Sequence, residues 1–210
     1  MDKFTLSVLT LQVLFLAGFT TAQPNPVCSK LPTLDGLLGN STCCSFPMLL
    51  DAKIMNQCWN EQKNSTDTDT TKHCKSLECF FKKSNALKAD NSLDRAVIET
   101  YLTTHLKDNA EWLPSIKQIA LDNCLVSIEK DYSKMMDFFK TNKMELPEAG
   151  KCSMKPMLMS ICVMAKGFAG CPAKHWNKGP NCDDWKKYLA SCTDTIENTL
   201  EFYKQLDKAQ

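Results

Sequence analysis

Apolar residues recur at helical spacing over most of the chain beyond residue 45, and no stretch alternates with the period of two that marks a half-buried strand. Ser45 reads as the N-cap of a helix over about 46–60, with Leu50, Ile54, Met55 and Cys58 on one face. The segment 64–71 carries no apolar residue and reads as a loop. A helix over about 74–88 then groups Cys74, Leu77 and Phe81. Behind the capping run Asp90-Asn91-Ser92, the residues Leu93, Val97, Tyr101 and His105 repeat every four positions beside Ile98, Leu102 and Leu106. Pro114 opens a further helix with Ile116, Ile119, Ala120, Cys124 and Ile128, followed by the cluster Met135, Met136, Phe138 and Phe139. The stretch 154–168 is apolar on nearly every side, the mark of a central helix, and Gly170-Cys171-Pro172 ends it. A last helix is predicted from about 183 to 207, with Trp185, Tyr188, Leu189, Cys192, Ile196, Leu200 and Tyr203 as its buried stripe. The pattern therefore predicts an all-α fold of six to eight helices.

The first residues belong to a different category. An uncharged apolar run over 6–19 follows Lys3 and precedes Thr20-Thr21-Ala22, then Pro24 and Pro26. This run is too short to span a bilayer and matches a signal peptide over 1–22, which leaves 23–210 as a single helical domain. No second long apolar run follows, so no membrane span is expected, and the expected location is extracellular. Two glycosylation sequons, at Asn40 and Asn64, fit that compartment.

Composition sharpens the picture in two ways. The net charge of +1 lacks the basic footprint of a nucleic-acid binder. The 12 cysteines, Cys28, Cys43, Cys44, Cys58, Cys74, Cys79, Cys124, Cys152, Cys162, Cys171, Cys182 and Cys192, suit an oxidising compartment and a disulfide framework. Metal binding is disfavoured because no C-x-x-C pair exists and His73, His105 and His175 are widely separated. No cofactor motif is present, and no nucleophile elbow, zinc-protease helix, phosphate loop or dinucleotide fingerprint occurs. Secreted phospholipases A2 place a histidine and an aspartate just after a Cys-Cys pair, whereas Cys43-Cys44 is followed by Ser45-Phe46-Pro47. No enzyme activity is expected.

The order Cys58, Cys74, Cys79, Cys124, Cys162, Cys171, with 44 residues between the third and fourth, eight between the last two, and Pro172 directly after, resembles the core of the insect odorant-binding proteins. The extra cysteines Cys152, Cys182 and Cys192 point to the Plus-C subgroup. One departure is the four residues between Cys74 and Cys79, where three are usual. The resemblance covers essentially all of 23–210. It implies interlocked bridges, Cys58 with Cys79, Cys74 with Cys162 and Cys124 with Cys171, and a helical shell around an apolar cavity with an added C-terminal extension over 182–210. For the other six cysteines, a bond of Cys152 to Cys192 is favoured.

The resemblance also implies a function, that of a secreted carrier of small hydrophobic ligands such as odorants or pheromones, with a chemosensory receptor as a further partner. Methionine-rich segments suit such a cavity because the thioether adapts to varied shapes. At helical spacing the same residues more often fill a core, and a secreted interaction module with a filled core is the alternative. The expected ligand-binding residues are Leu77, Phe81, Tyr101, His105, Met135, Phe138, Phe139, Met157, Leu158 and Ile161. The stripe of the last helix is expected either to wall the pocket or to meet a partner, such as a second copy in a homodimer.

Overall fold

The computed structural model describes residues 25–32 and 43–208; the expected signal peptide and the sequon at Asn40 lie outside them. Among the described residues seven helices form the fold and no strand occurs beyond two isolated bridges. They are α1 (Ala52–Gln62), α2 (Asp69–Lys83), α3 (Arg95–His105), α4, α5 (Met154–Ala169), α6 (Pro180–Cys192) and α7 (Ile196–Lys208). Helix α4 is continuous but built of three segments: α-helical Leu113–Lys117, π-helical Gln118–Leu125 and α-helical Val126–Thr141.

Local capping explains where the helices begin. The first helix starts at Ala52 and not near residue 46, because Asp51 accepts a hydrogen bond from the Ile54 amide at 2.9 Å and serves as the N-cap. Pro47 holds the preceding residue out of the α region, so 45–49 run as an irregular strap. The second helix begins five residues before the position its apolar pattern indicates. Thr68 caps it through the Thr71 amide at 3.2 Å, inside a polar run that carries no periodicity to read. Asp94 caps α3 by accepting from the amides of Ala96 and Val97.

Helix α5 is the axis of the molecule and packs against α2, all three segments of α4, α6 and α7. Met154, Met157, Leu158, Met159, Cys162 and Val163 are buried on it. The expected single last helix is instead a hairpin, α6 and α7. Lys166 of α5 donates to the carbonyls of Thr193 and Asp194, placing a cation at the C-terminus of α6, and Thr195 caps α7 through the Asn198 amide. A second core of Trp185, Tyr188, Leu189 and Phe202 gathers there around Cys28, Cys43, Cys182 and Cys192.

All twelve cysteines are paired. Cys58 bonds Cys79, while Cys74 bonds Cys152 and not Cys162, and Cys124 bonds Cys162 and not Cys171. The interlocked order of first with third, second with fifth and fourth with sixth is kept, but its fifth and sixth members are Cys152 and Cys162. Helix geometry accounts for the shift. Cys152 sits just ahead of α5 beside α2, whereas Cys162 lies about 15 Å further along the axis, level with the π segment that carries Cys124. The remaining bonds, Cys44 to Cys171, Cys43 to Cys182 and Cys28 to Cys192, lash the N-terminal segment to the C-terminal half. Cys192 is thereby committed to Cys28, which overturns the favoured bond to Cys152.

An ion cluster around the Asp67 carboxyl braces the bond at Cys74. Asp67 receives Lys75 and Lys151, both at 2.5 Å, and the Ser65 hydroxyl at 2.7 Å. Those bonds hold the carboxyl well below the usual carboxylate range, Lys151 contributing most. A carboxylate whose pKa is depressed by folding stabilises the fold above its unfolded value, near 3.8, and that stabilisation is lost as pH falls below it. Asp67→Asn is therefore expected to lower the melting temperature at pH 7 and to flatten its fall between about pH 4 and 2. Thermal melts at both ends of that range check this; equal slopes in the two proteins would remove the cluster from the acid response.

Candidate functional site: an apolar cavity behind the strap

A cavity of about 720 Å³ opens between the strap, α1, α2, α3 and α5. Helix α2 contributes His73, Leu77, Phe80, Phe81 and the C-capping Ser84, positions that fall on one helical stripe. Helix α5 contributes Met159, Ser160, Val163, Met164 and Phe168. Ile98, Tyr101 and Leu102 come from α3, and Ala120 comes from the π segment. Met48 at 72% exposure and Met164 at 47% both line the cavity and mark its rim.

The strap, residues 45–50, forms the remaining wall, and two anchors fix it. At its start Cys44 is bonded to Cys171, and the Ser45 amide donates to the His175 carbonyl at 2.9 Å. At its end the Tyr101 hydroxyl accepts from the Asp51 amide at 2.9 Å and donates to the Leu49 carbonyl at 3.2 Å. Burial pushes the Tyr101 pKa up to about 12, so the phenol keeps its proton at any physiological pH. His105 stacks on Tyr101 with centroids 5.2 Å apart and meets the Met48 carbonyl at 3.0 Å. Between the anchors Phe46 stacks on Phe168 and meets the edge of Trp112. It also lies on Gly167, where an added methyl would come within 2.4 Å of the ring. This close approach explains a glycine inside a helix, where it costs about 1 kcal/mol relative to alanine.

Three of the polar side chains in the wall, Ser84, Ser160 and Tyr101, are occupied, while Ser45 and Asn56 are exposed. Ser84 donates to the carbonyls of Phe80 and Phe81, and Ser160 donates to that of Pro156. Among the described residues no Lys, Arg, Asp or Glu lines the cavity. His73 stands at the rim with its ring edge-on to Trp59, 6.4 Å between centroids, and desolvation lowers its pKa. Among the described residues no group of His, Cys, Asp or Glu is arranged to hold a metal ion. The arrangement can bury an apolar molecule and offers it few polar partners.

Of the residues expected here, Leu77, Phe81 and Tyr101 meet in this cavity, and His105 stands behind Tyr101 as a brace. Met135, Phe139, Leu158 and Ile161 lie elsewhere. They surround a residual hollow of about 20 Å³ that Leu200 and Tyr203 of α7 close. Phe138 packs beneath Lys204, and Met157 is buried in the core. The C-terminal hairpin thus fills the face these residues offer, and it does not wall the main cavity. The strap, Phe80, Met159, Val163 and Phe168 line the cavity without being among the ligand-binding residues that the pattern marks. The spacing of 159 to 163 on the all-apolar helix was a signal for two of them, but periodicity does not distinguish a hollow from a filled core.

A disulfide-braced helical shell around an apolar cavity is the build of a binding protein for small hydrophobic molecules. The chain belongs to the insect odorant-binding proteins, and its twelve cysteines agree with the Plus-C subgroup. The AgamOBP47-like family matches residues 47–188. The chain is also 31% identical over 198 residues to general odorant-binding protein 68 of Anopheles gambiae, covering 94% of this chain and 90% of the relative. None of the helices among the described residues is long and apolar enough to cross a membrane.

Proposed function

We propose that this protein is a secreted carrier that takes up small hydrophobic molecules, such as odorants or pheromones, and moves them through an aqueous extracellular fluid. The observation that carries the proposal is the 720 Å³ apolar cavity, which falls within the range typical of ligand pockets. Burying about 350 Å² of apolar ligand surface gives roughly 9 kcal/mol gross at about 25 cal/mol per Å². Micromolar affinity corresponds to about 8 kcal/mol net, so binding at that level requires the preformed cavity to keep the cost of association small. The odorant-binding name of the relative supports the same assignment, and the paired cysteines and the exposed sequon at Asn64 support secretion. In this proposal 1–22 is removed as a signal peptide and 23–210 acts as one domain.

Titration of the purified, oxidised protein with an apolar fluorophore such as N-phenyl-1-naphthylamine tests the proposal. Saturable binding at micromolar concentration or below, reversed by a long-chain alcohol, is the expected result. An absence of saturable binding by the folded protein would favour a filled interaction module.

A further inference from the structure

We infer that His73 sets the ligand specificity of the cavity, selecting long apolar molecules that carry a single neutral hydrogen-bonding head, an alcohol or a carbonyl. The inference rests on the carrier assignment and specifies its ligand class.

Three observations carry it. The hydroxyls of Ser84, Ser160 and Tyr101 are engaged with backbone carbonyls, so they offer little to a ligand, Ser84 and Ser160 within their own helices and Tyr101 across to the strap. The other polar side chains of the lining besides His73, Ser45 on the strap and Asn56 on α1, are exposed and stand off the α2 stripe. The His73 imidazole makes no hydrogen bond to the described residues and has ring contact with Trp59. It therefore keeps one donor and one acceptor for a ligand in its neutral form. Second, His73 stands at one end of the α2 stripe, followed by Leu77, Phe80, Phe81 and Ser84 along the same face. From His73 to Ser84 the helix advances about 16 Å, so an extended apolar body laid along the stripe leaves its head beside the imidazole. Third, among the described residues no Lys or Arg lines the cavity to neutralise an acid, and desolvation disfavours the imidazolium that would pair with a carboxylate. A carboxylate would lose its hydration without an opposite charge in return. An alcohol or carbonyl loses much less and regains a hydrogen bond.

The test is competition against the bound fluorophore at pH 7.5 by tridecane, dodecanol, dodecanal and dodecanoate. It is run on the wild-type chain, His73→Phe and His73→Gln. Losing one hydrogen bond to a neutral group is expected to weaken dodecanol and dodecanal about 3- to 10-fold in His73→Phe while tridecane changes less than about twofold. His73→Gln, which keeps a donor and an acceptor, is expected to recover part of the loss, and dodecanoate is expected to bind the wild type more weakly than dodecanol. A parallel loss for tridecane and dodecanol in His73→Phe would reduce His73 to an apolar wall. Tighter binding of dodecanoate than dodecanol would overturn the neutral-head preference. A wild-type chain that binds neither fluorophore nor competitor takes down the carrier assignment, a result distinct from either of these.

Discussion

Tryptophan at both Met159 and Val163 is expected to weaken apolar ligands on the order of 100-fold while the protein still folds. The two positions lie one turn apart on α5 and both line the cavity, so their side chains point into the same space. Larger side chains inserted into a packed core force neighbours off their rotamers and destabilise it, typically by about 1–3 kcal/mol. Here they meet a cavity of about 720 Å³, so the added rings have room and remove ligand contact. If they displace about 110 Å² of buried ligand surface, the loss is close to 3 kcal/mol, or roughly two orders of magnitude in affinity. Melting temperature and fluorophore affinity, measured on the same double variant, separate the outcomes. A large fall in melting temperature with collapsed helicity would mean that the space is filled in solution. Retained folding with unchanged affinity would place the ligand elsewhere.

The contrast with Met135 and Phe139 shows why the site was only partly legible in the pattern. All four residues are buried apolar side chains at helical spacing. What separates them is the element that comes to lie opposite. Leu200 and Tyr203 of α7 reach into the space facing Met135 and Phe139 and close it. Met159 and Val163 line a space whose outer wall includes the strap, an irregular segment whose ends are fixed at Cys44 and Tyr101. Helical periodicity records which face is apolar and carries no information about the distance to its partner. The pattern extends the first helix over the strap because Ser45 resembles an N-cap and Leu50, Ile54, Met55 and Cys58 share one face, while the decisive local features are Pro47 and the cap at Asp51. The all-α class, the central helix and the disulfide framework were legible, because each depends on composition or on long apolar runs. The partners of Cys74 and Cys124 were not. Moving one cysteine along the chain changes which end of α5 is tied, and linear spacing alone permits either choice.

Replacing both Cys124 and Cys162 by alanine is expected to destabilise the protein more than removing either the bridge at Cys28 or the one at Cys44. Each bridge must be weighed with the other five intact, since nested bonds shorten the loop that a given one closes. The sequence separation of Cys28 and Cys192 is 164, yet the neighbouring bond between Cys43 and Cys182 already joins most of that path, leaving roughly 25 residues of effective loop. The bond between Cys44 and Cys171 is bypassed still more closely by that same neighbour, through about a dozen residues. For Cys124 and Cys162 the detour through Cys74 and Cys152 is longer than the direct separation of 38, so the full loop counts. In the chain-entropy account that loop is worth about 4 kcal/mol, against about 3.5 for the terminal bond and about 3 for the one at Cys44. For a chain of this size a loss of 4 kcal/mol corresponds to roughly 8–16 °C in melting temperature. Ligand affinity is expected to fall with it. This bond ties the π segment carrying Ala120 to the helix carrying Met159 and Val163, so opposed walls of the cavity are released together. Non-reducing melts of the three double variants, with fluorophore affinity measured well below each transition, give the comparison. A smaller fall for the pair at Cys124 and Cys162 than for that at Cys28 and Cys192 would show that the N-terminal lashing, and not the central bridge, holds the cavity walls in place.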